Sequence, residues 1–349
     1  MASPGFLRAS RKFPPRQLLA RTPTPILKLD RLSLRLGVEL WVKRDDVTGL
    51  LESGNKVRKL EFLVGEALQQ GADTLITCGT VQSNCCRAVA AVAARLGLKA
   101  VLAVKGHRPT EYDGNLLLGK LLGAELVFCP EEEFARIDDV FARLTETVRG
   151  KGGVPYVIPE SGATEVGALG YAACADELAE QLHQSGSVFD TVAVAAFSGG
   201  SQAGLLIGKQ LSGLAAEIVG IPIASPATQV RDYITATIQK IAARFELAVE
   251  PPKTIHLLDG YQGAGRGQIG EPELAAVVEL AREEGILLDP VYTAKAFRGL
   301  LDHLRRDPKE FGSRVCFVHT GGLFSLFPFR AELSRLLDEE RFPEAHPDA

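Results

Sequence analysis

The sequence predicts an α/β fold in which helices cover parallel β-sheets. Short apolar runs alternate with amphipathic helical patterns along the chain, and several runs end in glycine-rich turns that lead into a helix. With 349 residues, 46% of them hydrophobic, and a net charge of −4, the chain can bury a large core and is expected to hold one or two domains.

The apolar runs predict strands at residues 40–43, 74–78, 100–104, 126–129, 154–158, 191–196, 218–223, 254–258 and 314–319. Helical patterns predict helices at residues 56–70, 84–96, 114–122, 134–149, 165–184, 203–211, 227–245, 272–284, 293–305 and 327–339. Ligands in such folds bind beyond the carboxyl ends of the strands. The turns at 79–84, 197–202 and 320–322 each follow a predicted strand, so we expect the functional site there.

Lys56 stands where a glycine turn meets a predicted amphipathic helix. The helix dipole does not favour a cation in the first turn, so this lysine either points into water or has its charge removed by chemistry. A solvated surface lysine is the ordinary alternative. It becomes less favoured only if a phosphate cradle and an electron-sink partner are found elsewhere in the chain.

A candidate phosphate cradle follows the buried-strand pattern at 191–196, where the chain reads Ser198-Gly199-Gly200-Ser201-Gln202 before the next helix. Such a turn leaves N–H groups free and directs a helix N-terminus at an anion. It matches neither the dinucleotide fingerprint nor the P-loop. Taken alone, a tight structural turn is at least as good an interpretation.

Composition and spacing exclude other classes. The mild acidity disfavours nucleic-acid binding, and no apolar run is long enough to span a bilayer. The N-terminus lacks the pattern of a signal peptide and is interpreted as a lead-in segment; its basic residues are Arg8, Arg11, Lys12, Arg16 and Arg21. Six cysteines without C-x-x-C spacing indicate reduced thiols in a cytoplasmic protein, and the histidine spacing predicts no metal site.

Five motifs occur in a characteristic order, at residues 54–61, 82–84, 198–204, 288–295 and 319–322. Together they resemble the motifs of pyridoxal-phosphate (PLP) enzymes of the D-cysteine desulfhydrase and 1-aminocyclopropane-1-carboxylate deaminase family, over about residues 24–330. The resemblance implies two open, twisted parallel sheets flanked by helices, the tryptophan synthase β-like fold type II, with PLP in the cleft between domains. It also implies a large domain of residues 1–53 plus 164–349, a small domain of residues 54–163, and a homodimer.

The resemblance also implies roles near the amino end. Lys56 would form a Schiff base with the cofactor and move the substrate α-proton, which requires a lowered pKa. Lys59 would approach the phosphate, with a surface charge as an equal alternative. Asn84 would donate to the phenolic oxygen of the ring and contribute to the substrate site, where Gln82 and Ser83 would meet the carboxylate. Ser83 would also take part in acid–base steps, and helix capping is the alternative for all three.

Further along the chain, the turn from Ser198 to Gln202 would hold the phosphate, and Tyr292 would pack on the cofactor ring and take part in catalysis. A core tyrosine is the ordinary alternative for Tyr292. Either Thr293 or Thr320 would face the pyridine nitrogen. A hydroxyl there would leave that nitrogen largely unprotonated, which fits prompt loss of a β-substituent.

Arg266 departs from the family pattern, which has a glycine-framed tyrosine at this position. We hypothesise that Arg266 shifts the preference toward a substrate with an acidic side chain, such as a sulfonate or carboxylate, or weakens the family activity. The alternative is that Arg266 points to solvent and Tyr261 takes the place of the missing tyrosine.

The leading functional prediction is a PLP-dependent lyase that eliminates a β-substituent from a small, D-cysteine-like amino acid, giving a 2-oxo acid and ammonia. Ring-opening deamination of 1-aminocyclopropane-1-carboxylate and an L-cysteate-type sulfo-lyase are the rival enzyme activities. A PLP-binding protein with little catalysis is the alternative from another class.

Overall fold

In residues 13–52 and 54–339, the part of the chain that this computed structural model describes, ten strands form two separate sheets. The strands are β1 (Ile26–Lys28), β2 (Glu39–Lys43), β3 (Thr74–Gly79), β4 (Lys99–Lys105), β5 (Glu125–Cys129), β6 (Pro155–Ile158), β7 (Thr191–Ala196), β8 (Glu217–Pro222), β9 (His256–Leu257) and β10 (Arg314–Val318). The larger sheet has the order β1-β2-β10-β7-β8-β9, and the smaller has the order β5-β4-β3-β6.

Almost all strand pairs are parallel. Among the described strands, only β1 runs antiparallel to its neighbour, with Ile26 opposite Lys43, whereas the central pairs β10–β7 and β3–β4 are parallel. Strand β3 is buried at every position, as expected of a strand covered by helices on both faces. The predicted fold class, parallel sheets flanked by helices, is confirmed.

Twelve α-helices connect and cover the sheets in the described residues. They are α1 (Asp30–Leu36), α2 (Asn55–Gln69), α3 (Asn84–Leu96), α4 (Gly114–Leu121), α5 (Glu131–Phe134), α6 (Ile137–Gly150), α7 (Glu165–Ser185), α8 (Gly200–Ser212), α9 (Ala227–Phe245), α10 (Glu271–Glu284), α11 (Thr293–Arg306) and α12 (Arg330–Glu339). No described helix is long and apolar enough to cross a membrane.

Four details correct the predicted elements. Strand β1 and helix α1 were not predicted, because each is short and lies among prolines or charged residues that obscure its pattern. The helix predicted at 134–149 is two helices, since Arg136 has non-helical dihedrals (φ −109°, ψ 51°). The helix predicted from residue 327 begins with a single 3₁₀ turn before α12. Of the lead-in segment, Arg8, Arg11 and Lys12 lie outside the described residues, as does Ser53.

Helix α2 is held in place by a cluster of buried charges, which we call the Arg58 cluster: Thr24, Lys43, Asp45, Arg58 and Glu177. Arg58 donates two hydrogen bonds to the Asp45 carboxylate (2.8 and 2.7 Å) and two to Glu177 (2.9 and 3.0 Å). Lys43 forms an ion pair with Glu177, and the Thr24 hydroxyl donates to Asp45 (2.8 Å). These contacts tie α2 to β2 and α7.

Close packing fixes the start of α2. Gly54 has φ +57°, and a Cβ at this position would lie 2.1 Å from the carbonyl oxygen of Thr320. The same carbonyl accepts a hydrogen bond from the N–H of Asn55 (3.0 Å). Only glycine fits there, so the first turn of α2 lies directly against the turn that follows β10.

Candidate active site

A cleft opens at the carboxyl ends of strands from both sheets. Its walls come from the starts of α2, α3 and α8, from the turns after β6, β7, β8 and β10, and from the segment before α11. The lining residues are Asn55, Lys56, Lys59, Asn84, Ser161, Ala195, Phe197, Ser198, Gly199, Gly200, Ser201, Ile223, Tyr292, Thr320 and Gly321.

Lys56 lies in the first turn of α2 and faces this cleft. Burial lowers the pKa of its amine; the acidic groups of Cys85 and Asp289 act in the opposite direction, and the positive charge of Arg87 lowers the pKa further. A lysine whose ammonium form is destabilised in this way is more often a free amine near neutral pH than a surface lysine, and is therefore more available as a nucleophile and proton acceptor.

Lys59, one turn further along α2, is buried, with only 3% of its surface exposed. This excludes the alternative that Lys59 is a surface charge. Burial and the charge of Lys56 lower the pKa of Lys59 to about 7. A Cβ added to Gly200 would lie 3.4 Å from Nζ of Lys59, so this amine faces the glycine turn.

The glycine turn itself is shaped to hold an anion. Gly199 has φ +97°, and a Cβ there would lie 2.6 Å from Cγ1 of Ile234. Helix α8 starts at Gly200 without a side-chain cap, so its first N–H groups remain available to a ligand. Ser198 and Ser201 lie beside these groups in the cleft wall.

Gln202 can contribute only its backbone N–H to the glycine turn, because its side chain points away from the cleft. It is fully buried, its Nε2 donates to the carbonyl of His256 (3.0 Å), and its Oε1 packs against Gly220 of β8. Its side chain therefore contacts the sheet and not a ligand in the cleft.

Asn84 presents one side of its amide to the cleft. Its Oδ1 accepts hydrogen bonds from Arg87 (2.8 Å), from Nδ2 of Asn115 (2.9 Å) and from Oγ of Ser325 (3.3 Å). Its Nδ2 has no hydrogen-bond acceptor among the described residues. The free donor of Asn84 is therefore available to a ligand.

The structure places the other two residues of this turn at helix starts. The Oγ of Ser83 accepts from the N–H of Cys86 (3.2 Å) and caps α3. Gln82 donates to the carbonyl of Asp113 (3.2 Å) and accepts from the N–H of Asn115 (2.9 Å). The Gln82 amide is thus occupied at the start of α4, which corrects its assignment to the substrate carboxylate, and neither residue lines the cleft.

Tyr292 lines the cleft, and its ring meets that of Phe197 edge-on, with centroids 5.8 Å apart. Burial and the nearby carboxylate of Asp289 raise the pKa of Tyr292 to about 12, so it remains a neutral phenol. The Thr293 hydroxyl donates to Asp289 (2.7 Å) and accepts from the Asp289 N–H (2.8 Å). Thr293 is therefore occupied outside the cleft, which corrects one alternative, whereas Thr320 lines the cleft.

Arg266 lies at the mouth of the cleft. Its Cζ is 5.0 Å from the centre of the Phe197 ring, and its guanidinium forms an ion pair with Glu160. Tyr261 lies elsewhere: its ring packs on Gly299 and lies 6.1 Å from the ring of His303 on α11. Tyr261 therefore does not replace the missing tyrosine, and its assignment to the substrate site is corrected.

Sequence reasoning missed Asp289, which is fully buried and accepts from the N–H groups of Val291 (3.1 Å), Tyr292 (2.9 Å) and Thr293 (2.8 Å). An aspartate just before a predicted helix is a usual capping signal and could have indicated it. Nothing in the sequence indicated Ser161, which enters the cleft in a left-handed conformation (φ 63°).

The described residues contain no group of three or more His, Cys, Asp or Glu that could hold a metal ion. All six cysteines are free and buried.

Comparison with known proteins identifies the class. Residues 18–321 match the family described as "Pyridoxal-phosphate dependent enzyme", and this chain belongs to that family. It is 41% identical over 326 residues to a D-cysteine desulfhydrase of Serratia proteamaculans, covering 91% of this chain and 97% of the relative. It is 42% identical over 325 residues to a D-cysteine desulfhydrase of Yersinia enterocolitica, with the same two coverages.

A solved structure described as an ACC deaminase homologue has the same fold, with a TM-score of 0.86 and 36% identity. The alignment covers 96% of this chain and 99% of that one. The predicted family and cofactor are confirmed.

The cleft fits PLP. A Cβ at Gly200 would enter the space between Lys59 and Ser198, Lys56 supplies an amine with a lowered pKa, and Asn84 supplies a free donor. When bound, PLP supplies an electron sink for the carbanion left by loss of a substrate proton. The protein residues hold the group, orient it and move the proton.

Proposed function

We propose that this enzyme is a lyase that eliminates a β-substituent from a small, D-cysteine-like amino acid, yielding a 2-oxo acid, ammonia and, from D-cysteine, sulfide. The observation that carries this proposal is the arrangement of Lys56, with its lowered pKa, beside the anion cradle at Gly199 and Gly200. The names of the two D-cysteine desulfhydrases at 41% and 42% identity support the same activity.

Each chain residue has a task in this reaction. Lys56 would hold the cofactor through its amine and would accept the substrate α-proton at Nζ. Lys59 and the N–H groups at the start of α8 hold the phosphate. Asn84 would donate from Nδ2, Tyr292 would cover one side of the cleft as a neutral phenol, and Thr320, which also lines the cleft, would meet the pyridine nitrogen with its hydroxyl.

Borohydride reduction of the PLP-loaded protein followed by peptide mapping tests the first step. We expect a label on Lys56, and loss of both the label and sulfide release in Lys56→Ala. Lys99→Ala, at an exposed lysine of β4, is the matched control and should keep both. A wild-type protein that binds PLP without labelling Lys56 would contradict the proposal.

Ring opening of 1-aminocyclopropane-1-carboxylate is the main rival. The structure supports it less, because Tyr261 packs on α11 and Arg266 stands where the family has a phenol. Assays of sulfide and of 2-oxo acid with each substrate separate the two activities. If the enzyme forms 2-oxobutanoate from 1-aminocyclopropane-1-carboxylate and releases no sulfide from D-cysteine, the deaminase is favoured. Absorbance changes without any product would favour a binder with little catalysis.

A second candidate follows from the position of Arg266, whose guanidinium lies over Phe197 in the cleft wall. We infer that it can hold an anionic substrate side chain, as in L-cysteate, when it is released from Glu160. Arg266→Tyr should then lower kcat/KM for L-cysteate far more than for D-cysteine, and Glu160→Gln should raise it. Equal activity of Arg266→Tyr and wild type on every substrate would remove Arg266 from the site.

We also propose that the chain forms a homodimer, as the resemblance to the family implies. We further propose that it is cytoplasmic, which its reduced thiols support. The proposed domain division is 1–53 plus 164–349 for the large domain and 54–163 for the small one. The two sheets support it, since β3 to β6 lie within residues 74–158. Sedimentation velocity tests the dimer, and limited proteolysis tests the boundaries.

A further inference from the structure

Arg87 lies on α3, three residues after Asn84, and none of its surface is exposed. Its Nη1 donates to Oδ1 of Asn84 (2.8 Å) and to Oδ1 of Asn115 (2.5 Å), and its Nη2 donates to the carbonyl oxygen of Glu52 (3.0 Å). The ring of Phe324 lies 5.2 Å from its Cζ. We call Glu52, Asn84, Arg87, Asn115 and Ser325 the Arg87 cluster.

All three hydrogen-bond acceptors of Arg87 are neutral oxygens. Among the described residues, no carboxylate forms an ion pair with it; Glu52 and Asp289 act only at longer range. Burial lowers the pKa of Arg87 to about 10. A buried cation without a paired anion is costly, so stability alone gives no reason for an arginine here.

The guanidinium determines which way the Asn84 amide faces. Three donors, from Arg87, Asn115 and Ser325, meet its Oδ1. Rotating the amide by half a turn would place its NH₂ group against the N–H donors of Arg87 and Asn115, and only the Ser325 hydroxyl could then accept from it. The amide is therefore held with Nδ2 directed away from the cluster, toward the cleft.

Arg87 also supports the segment that leads into α2. Leu50, Leu51 and Glu52 have consecutive positive φ angles of 49°, 58° and 44°, which are unfavourable for residues with side chains. The bond from Arg87 to the Glu52 carbonyl holds the end of this segment, shortly before Lys56. One side chain thus contacts both the Asn84 amide and the approach to the reactive lysine.

We propose that Arg87 is a positioning residue, whose planar guanidinium fixes the Asn84 amide so that its NH₂ group faces the cofactor's phenolic oxygen. This inference rests on the proposed function, because it requires PLP bonded to Lys56. A donor at that oxygen stabilises the phenolate and so makes the Lys56 nitrogen of the bound cofactor harder to protonate.

The test is a pH titration of the absorbance of the PLP-loaded protein, which reports the pKa of the Lys56 nitrogen and needs no turnover. Arg87→Met should raise this pKa by about one pH unit, because the phenolate loses a correctly directed donor and the site loses a positive charge. Arg87→Lys keeps the buried charge but loses the planar guanidinium with its several donors, and we expect a similar rise of this pKa. Arg95→Met, at an exposed arginine of the same helix, should match wild type.

A double-mutant cycle separates orientation from general damage. Asn84→Ala should raise the same pKa, and adding Arg87→Lys to it should cause little further rise, because both changes remove one interaction and the buried positive charge is kept. Additive shifts, or an Arg87→Lys variant that titrates like wild type, would overturn the proposal. If Arg87→Met does not fold, Arg87→Lys and the cycle built on it give the same decision.

Failure of the proposed function looks different. If borohydride leaves no label on Lys56 in the wild type, the proposed function fails. If Lys56 is labelled but the pKa is unchanged in both Arg87 variants, only the positioning role fails.

Discussion

The Arg58 cluster and the Arg87 cluster each contain a fully buried arginine, but they differ in what surrounds it. Arg58 is bonded to two carboxylates; burial alone would lower its pKa, but these carboxylates raise it well above the ordinary value. Arg87 is bonded only to neutral oxygens, and burial lowers its pKa to about 10. Paired charge thus lies on the side of α2 that faces α7, and unpaired positive charge lies on the cleft side.

The difference indicates a division of tasks. A neutralised cluster fixes the position of α2 without needing a ligand. On the cleft side, Lys56, Lys59 and Arg87 form no ion pair with a carboxylate among the described residues, so an anionic ligand can supply the missing charge.

Breaking the paired cluster should have the largest effect. Arg58→Met leaves Asp45 and Glu177 buried with less compensation, and we expect the free energy of unfolding to fall by about 3–5 kcal/mol. Urea unfolding measures it, with Arg95→Met as the exposed control. Arg87→Met should cost less, because it leaves no buried carboxylate. An Arg58→Met variant within about 0.5 kcal/mol of wild type would show that the cluster does not stabilise α2.

Acid should reveal the same cluster. Burial alone would raise the pKa of Glu177, but Arg58 and Lys43 lower it to about 2 from an ordinary value of 4.5. The folded-state pKa is the lower one, so this contribution, about 3 kcal/mol, is complete above about pH 4.5 and is lost as the pH falls toward 2.

Across this pH window, the slope of the unfolding free energy against pH should be smaller in Glu177→Gln than in the wild type, by the equivalent of about one proton. Glu131→Gln, at an exposed carboxylate, is the control. Parallel curves for wild type and Glu177→Gln would mean that Glu177 titrates normally.

The smallest effect is expected on the cleft side of α2, where Lys59 has no ion-pair partner among the described residues. Lys59→Met should weaken binding of pyridoxine 5′-phosphate, which lacks the aldehyde, by roughly 10–100-fold near pH 6.5. In the free protein the pKa of Lys59 is about 7, so the wild-type affinity should fall as the pH rises above 7 while the amine loses its proton. Calorimetric titration at several pH values should show this fall in the wild type and in Lys99→Met, and not in Lys59→Met.

The elements whose cause is local were predictable. The ranges predicted for β7, α3 and α9 equal the observed ones, because burial on one or both faces produces a regular pattern of apolar residues in the sequence. Strand β1 was not predictable, since three residues carry too little pattern and pair only because β2 lies beside them.

The candidate site divides in the same way. Lys56, Gly199 and Gly200 stand out because a glycine turn before a helix is a local signal. Neither arginine cluster could be inferred, because Asp45, Arg58 and Glu177 meet only in the folded chain. The loop that carries Tyr261 and Arg266 has no regular pattern, so sequence alone did not show that only Arg266 reaches the cleft mouth.

The contact between Gly54 and the carbonyl of Thr320 has a consequence for synthesis of the chain. The first turn of α2 is translated early, but the carbonyl against which it rests follows the last strand of the larger sheet. On the ribosome, the packed start of α2 therefore cannot form until β10 and the turn that follows it have emerged. Capture of the vitamin-derived aldehyde must then be a late event, after translation has passed β10.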